Sequence, residues 1–596
     1  RLRRRRSRAC ASTCPMQAAA KMKMPALPKT NFSNTFGIIL ILQILFSQIL
    51  IAAEILENEP INKRHILYLV QHQDLNQALD LYEKYRQTFG KHDFEILQQM
   101  SFIILEEGAR SHEPERQLLS MYGSSIGGCS SSIDILEAGI TSSNPETQMA
   151  SIQLLGQLQD DRSDELLNKA MSSDFLYSRM EAAYQLALRK SRTSVGQIEA
   201  LMHRIPHQFW PFFPEYFALI GTADAIAMLR HLIDDTYHNV RIEAILSAAR
   251  YGRDDLLSLI RAHSTHLNMA EQEACAAALG MLKDSKSMPQ LKKLAKSPSP
   301  NVQIAACRSL YLLGDQDAKN QLLSLARSKN LFAISLLGDM PDTETLLFEL
   351  SQNDNIQVRI NAAIALLKRR DPRSIPGICE ILIRDTRDLG IQPQLSVGRS
   401  LMSWKIIPSA IQHLKHELYD LIAITLSIRE QILSQCLELP EKDFLLLASK
   451  IFETRQIDII PLLVSLLQNI QTPNAISLLQ HRAQDAGAPL IRAYCSLALF
   501  RLKQAGPYEQ TLLDWVDKKR STDIIRFRPR LPRKVFLVDS PFDLTPEESS
   551  RLLIETYAAI ASRHEERSID IILEALKSGN DKNRYVLAGL LMLALQ

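Results

Sequence analysis

The sequence holds little of what builds turns, strands and covalent frameworks. Its 596 residues include 21 Gly, 26 Pro and 8 Cys, and aromatic residues make up 6%. That scarcity excludes collagen-like and low-complexity architectures. The abundance of Leu, Ile and Ala favours helices over strands. The cysteines form no C-x-x-C pair and none stands at zinc-ligand spacing, which excludes a disulfide-dense scaffold and a zinc finger. Cys129, Cys275, Cys307, Cys379, Cys436 and Cys495 lie beyond residue 53 and read as small buried hydrophobes.

Catalytic signatures are missing too. There is no G-x-S-x-G, no H-E-x-x-H, no Walker loop ending in Gly-Lys-Ser/Thr and no paired-glycine fingerprint. Gly123 and Gly128 have phosphate-loop spacing, but Cys129 stands where Lys is required. His203 and His207 are four apart, as metal ligands on a helix would be, yet Pro206 lies between them and the pair reads as a loop. The sequence therefore assigns no catalytic, cofactor or metal residue, and points to a binding surface over an enzyme.

Negative charge is absent from the first 53 residues, which hold nine basic residues and no Asp or Glu; without them the formal charge of +3 becomes −6. A mildly acidic body argues against electrostatic binding of nucleic acid. Within that basic leader, Lys21, Lys23 and Lys29 precede the apolar run Phe36–Ala53, and charge returns at Glu54. A positive start, an apolar middle and a small-residue exit at Ile51-Ala52-Ala53 is the layout of a secretory signal. Export, to a periplasm, is the expectation. The alternative is an uncleaved inner-membrane anchor, since about 18 apolar residues is near the minimum that spans a bilayer. Membrane contact is expected only through Phe36–Ala53. The stretch before Met16, Met22 or Met24 reads as upstream of the true start.

What the chain does have is a repeat. Stepping back from Leu310 by 31 meets Leu279, Ala248, Phe217, Leu186 and Leu155, all apolar. Twelve residues after each marker stand Leu167, Ile198, Leu229, Ile260, Leu291 and Leu322. Three further on are Ala170, Leu201, Leu232, His263, Leu294 and Leu325, with His263 the exception. Four before each marker the residues are mostly small: Ser151, Ala182, Phe213, Ala244, Cys275 and Ala306. Four after come Gln159, Lys190, Gly221, Gly252, Lys283 and Gly314, where a turn needs a left-handed helix end. Asp160, Asp284 and Asp315 follow as turn or cap residues. A period of this length marks stacked helical hairpins, in which each unit buries the stripe its neighbour cannot cover alone. The fold class expected is all-α, an α-solenoid (superhelix).

The strings HNVRIEAILSAARYG (His238–Gly252), PNVQIAACRSLYLLGD (Pro300–Asp315) and NIQVRINAAIALLKRRD (Asn355–Asp371) resemble the HEAT-repeat family, in the short form also found in phycobilisome-lyase-like proteins. The resemblance spans 144–382, with a shortened unit at Leu331–Asp342. It implies a scaffold that binds protein, and, through the lyase-like members, a lyase-like or chaperone-like factor as a second reading. A membrane-anchored cytosolic assembly factor is the third.

Around this array the sequence divides into a leader (1–53), an N-terminal helical cap (54–123), the clear array (144–382), divergent repeats read as helical (383–517), a basic insertion (518–550) and C-terminal helices (551–596). Ser124–Ser132, rich in Gly and Ser, reads as a linker. The last helix, Asp581–Gln596, lacks a partner helix and needs something to cover it. Two stretches stand out as partner-binding candidates. His203–Phe217 crowds Phe209, Trp210, Phe212, Phe213, Tyr216 and Phe217 into a unit whose first helix is disturbed by Pro211 and Pro214; repacked core is the competing reading, a hot spot for a protein partner the sharper one. In the insertion, the alternation of Arg526, Arg528 and Arg530 would put three guanidinium groups on one side of an extended chain. A partner is expected along the inner, second-helix face.

Overall fold

The computed structural model describes residues 62–128, 132–158, 160–383, 390–395, 402–407, 428–454, 457–530, 543–546 and 548–596. The leader and the strand-like Lys534–Asp539 lie outside the described residues. The chain divides into two compact units, 1–62 and 63–596, and everything below belongs to the second. No helix among the described residues is long and apolar enough to cross a membrane.

Four helices open the unit: α1 (Lys63–Gln71), α2 (Leu75–Phe89), α3 (Phe94–Ala109) and α4 (Pro114–Gly127), with α5 (Ser132–Ile140) paired to α4. Hairpins follow as α6/α7 (Pro145–Gln157, Asp161–Ala170), α8/α9 (Leu176–Leu188, Val195–Arg204), α10/α11 (Phe213–Ile220, Ala223–Ile233), α12/α13 (His238–Arg250, Leu257–His263), α14/α15 (Met269–Met281, Met288–Leu294) and α16/α17 (Pro300–Leu312, Gln316–Arg327). Then come α18/α19 (Leu331–Leu337, Glu344–Leu350) and α20/α21 (Ile356–Lys368, Ile375–Ile383). A helix at 428–435, α22, precedes α23 (Glu441–Thr454), α24/α25 (Ile460–Ile470, Pro473–Arg482), α26/α27 (Pro489–Arg501, Tyr508–Lys519), α28/α29 (Glu548–Ala561, Glu566–Ser578) and α30 (Arg584–Ala594).

The columns of the repeat are the core. Leu155, Leu186, Phe217, Ala248, Leu279 and Leu310 are all buried, as are Leu167, Ile198, Leu229, Ile260, Leu291 and Leu322 and the small column from Ser151 to Ala306. In the last column only Leu325 is half-buried. The turn residue is left-handed at each described place, including Lys190 (φ 55°) and Lys283 (φ 54°) as well as Gly221, Gly252 and Gly314. The backbone demand therefore holds where glycine does not fill it. Asp160 and Asp315 cap α7 and α17 by accepting backbone N–H bonds, and this satisfies donors that the first turn leaves free.

Over 145–383 the first helices pack side by side from unit to unit, whereas the second helices rest on the first helices and touch one another little. The first helices are thus the closely packed layer, and the second helices the looser one.

One feature departs from the helical reading of 383–517. Strands β1 (Gly390–Leu395) and β2 (Met402–Ile407) form an antiparallel hairpin. Arg429, fully buried, then donates from Nε and Nη2 to the carbonyls of Ile381 and Leu382, each at 2.9 Å, and so closes the C-terminal end of α21. In the basic insertion β3 (Phe527–Arg530) pairs antiparallel with β4 (Asp543–Pro546), while Lys518 and Lys519 still belong to α27.

The ends of the unit meet. Helix α30 packs against α3 and α4, so its apolar face is covered by the chain itself. A Cβ placed on Gly589 would run into the backbone of Gly123, and one on Gly127 would lie 3.1 Å from Cβ of Met592. Ion pairs rim the contact: Arg86 with Asp570, Arg584 with Glu107 at 2.7 Å and Lys582 with Glu115 at 2.7 Å. Of the stretch read as a linker, Ser124–Gly127 is the last turn of α4, with Ser124 buried and Gly127 packed against α30, and Ser132 opens α5; 129–131 lie outside the described residues.

Candidate partner-binding edge

Successive units are tied at the loop that enters each first helix. A long polar side chain in the first helix reaches back to a loop carbonyl six residues upstream. Gln117 bonds Ser111 O (2.7 Å), Gln148 bonds Ser142 O (2.7 Å) and Gln272 bonds His266 O (2.6 Å). The Arg of each Val-Arg pair does the same: Arg241 to Asp235 O (2.6 Å) and Arg359 to Asn353 O (2.9 Å). Each also pairs with a carboxylate, Arg241 with Glu271 at 2.9 Å and Arg359 with Glu380 at 2.9 Å. These side chains satisfy loop carbonyls, buried at Ser142 and partly buried at Ser111, Asp235 and Asn353, that the loop itself leaves without a partner.

Trp210 occupies this same column, thirty-one residues before Arg241, and makes no such bond; its buried Nε1 has no hydrogen-bond partner. Where neighbouring units have a helix of 13 residues, this one has a 3-10 turn (His207–Phe212) followed by the eight-residue α10. Pro211 and Pro214 impose that break. The aromatic residues then divide. Phe213, Tyr216 and Phe217 are core. Phe209 and Trp210 are half-buried, and Phe212 is 44% exposed. Burial, and after it the Glu181 and Glu215 carboxylates, push the Tyr216 hydroxyl far above its ordinary pKa.

The half-buried rings connect three units. His207 stacks on Trp210 (centroids 4.1 Å apart) and packs tilted against Tyr237 of the next loop (3.7 Å), His203 meets Trp210 edge-on (5.3 Å), and Phe209 meets Tyr177 of α8 edge-on (6.4 Å). Thus His203 and His207 flank an indole. Tyr177 and Tyr237 are 50% and 55% exposed, and the edge continues to Leu267 (92%) and Met269 (45%) at the next loop. All stand at the entry ends of first helices that lie side by side. The result is a run of exposed apolar groups along four consecutive units.

Of the insertion arginines, Arg526 is exposed and its backbone N–H bonds Ser550 Oγ at 3.0 Å. Arg528 and Arg530 stand in β3 opposite Thr545 and Asp543; their side chains lie outside the described residues. Part of the cluster is neutralised, since Lys519 pairs with Asp523 (3.3 Å) and Arg520 with Asp517 (3.2 Å) and Glu574 (3.4 Å). The structure does not bring the aromatic unit and the insertion into one described site.

The fold defines a helical repeat protein. A model of the HEAT-repeat family matches residues 260–334, and the chain carries HEAT repeats there. No curated protein matches the chain. Among solved structures, the CpcE–CpcF complex of phycocyanin lyase from Nostoc sp. PCC7120 is 15% identical, over 41% of this chain and 92% of that one, with a TM-score of 0.25. Kap121p is 13% identical, over 88% of this chain and 58% of that one (TM-score 0.31), and importin beta 11% identical, over 85% and 78% (TM-score 0.27).

Proposed function

We propose that this protein is a non-catalytic scaffold that holds a protein partner along the aromatic edge. The observation that carries the reading is the line of exposed Tyr177, Phe212, Tyr237, Leu267 and Met269 on consecutive units. Contiguous exposed apolar groups on a chain with a filled core mark interaction surfaces. Rings supply large contact area at little cost in side-chain order, which is why they dominate binding hot spots. The occupant that fits is an apolar, extended segment, long enough to cross several loops. The insertion arginines are a second contact for acidic groups on the same partner. Export rests on Phe36–Ala53, and N-terminal sequencing of an exported fraction tests it: a start at Glu54 is the expected result.

The test is a photo-crosslinker at Tyr237 beside one at Lys293 of the second-helix layer, together with Phe212→Ser/Tyr237→Ser. The reading expects crosslinks to a defined partner from position 237 only, and loss of that partner from the double variant with the melting temperature held. Equal crosslinking from both positions, or undiminished capture by the double variant, contradicts it.

A further inference from the structure

One position breaks the apolar column of the repeat. Where the other units have Ala or Leu, His263 is 6% exposed. Its Nε2 lies 2.9 Å from Asp234 Oδ1. Its Nδ1 is buried, makes no hydrogen bond, and points toward Glu271 Oε2 at 3.8 Å. From the loop between α13 and α14, His266 brings its own Nδ1 to 2.9 Å from that same oxygen. Glu271 is fully buried, and Arg241 holds its other oxygen, with Nε at 2.9 Å. The ligand atoms of the three residues all lie within 4.8 Å of one another.

We propose that His263, His266 and Glu271 bind a zinc-type divalent cation through three protein ligands. Two imidazole nitrogens and one carboxylate oxygen suit zinc and its neighbours, whereas calcium and magnesium require oxygen. Zinc takes these atoms at about 2.0–2.2 Å, so the cluster closes on the ion by small rotations of the side chains. The Asp234 carboxylate on the far nitrogen of His263 is the partner a metal-bound imidazole normally has: it fixes the ring and raises the basicity of the ligating nitrogen. A cation would also answer the orphaned Nδ1, which no protein group satisfies. His266, 46% exposed, leaves the remaining coordination position open to solvent. Two negative charges, Glu271 and Asp234, face one Arg241, so a dication is electrostatically favoured. The bound ion would staple the loop that carries Leu267. The inference does not depend on the partner reading.

Full-length protein stripped with EDTA, then titrated with Zn2+ against a chromophoric chelator, tests it. The expected result is one Zn2+ per chain, a rise in melting temperature on binding, and no competition from Ca2+ or Mg2+. His266→Ala, at an exposed ring, should lose the uptake and the thermal shift. Asp234→Asn should weaken binding about 10–100-fold, and His203→Ala/His207→Ala should bind as wild type. Co2+ in the wild-type chain adds a readout that needs no variant: a four-coordinate visible spectrum supports the site, an aquo-like octahedral one overturns it. No stoichiometric Zn2+ uptake by wild type, or equal uptake by His266→Ala, also overturns it. Loss of uptake in the His203/His207 variant would place the ion elsewhere.

Discussion

Gly123 of α4 and Gly589 of α30 meet backbone to backbone, although they stand near opposite ends of the repeat array. The contact means that the stacked hairpins run back onto their own beginning. An open stack leaves two apolar end faces that must be capped; here each end caps the other.

Any side chain at this crossing must push the helices apart. Gly589→Val is expected to destabilise the chain by about 1–3 kcal/mol or more, the usual range for overfilling a packed contact. Urea denaturation reads this as a lower midpoint with an unchanged slope.

The rim of the same crossing titrates. His92 is buried with Nε2 3.3 Å from Asp570 and Nδ1 3.1 Å from the Tyr82 hydroxyl. Burial first, and the Arg86 guanidinium second, lower its pKa from the ordinary value, about 6.5. The unfolded chain then takes up the proton more readily than the folded one. Stability from this group is complete above about pH 6.5 and is lost as the pH falls through the lowered folded value. Urea midpoints measured from about pH 7.5 to 5 should decline in wild type and decline less in His92→Gln.

The small column gives a contrast of two positions. Ala306 is fully buried between neighbouring units, and Leu312 on the same helix is 49% exposed. Ala306→Leu should cost about 1–3 kcal/mol, and Leu312→Ser should stay within about 0.5 kcal/mol. Gln303, one turn before Ala306, is half-buried and so makes a poorer control than Leu312. Equal effects at 306 and 312 would mean that the faces of α16 are assigned wrongly.

Much of this was legible because burial recurs at fixed positions. Leu155 to Leu310 and Leu167 to Leu322 could be read as core because a repeated hairpin must fill the same site in every unit. The left-handed turn at Lys190 and Lys283 was visible only by register, since Lys carries no turn preference. The start of Ser124–Ser132 misled, because glycine serves a flexible loop and a close helix crossing alike, and the partner helix α30 is remote in sequence. The β1–β2 hairpin was missed although Gly390 and Pro393 disfavour a helix there and the β-branched Ile406–Ile407 favours a strand. Trp210 was singled out for its aromatic neighbours; the stronger signal was its place in a column of Gln and Arg. His263 was visible as an exception, but His266 and Glu271 lie in the next loop and helix, and only folding brings them to it.

The loop clamp is open to direct comparison. Arg359→Met should lose the bonds to the Asn353 carbonyl and Glu380 and cost about 1–3 kcal/mol, as expected for buried polar groups left without their donor. Trp210→Phe removes an indole N–H that bonds nothing. Thermal unfolding should therefore show a clear loss for Arg359→Met and a smaller one, about 1 kcal/mol or less, for Trp210→Phe.

The closure of the array on itself is tested most directly by joining its ends. Glu115 and Lys582 form an ion pair of 2.7 Å across the crossing, and Glu115→Cys/Lys582→Cys places two thiols there. A short bismaleimide, followed by peptide mass spectrometry on the monomer band, should give an intrachain 115–582 bridge in high yield and a raised melting temperature. Failure to bridge within the monomer, or bridging only between two chains, would contradict a repeat array sealed by its own two ends.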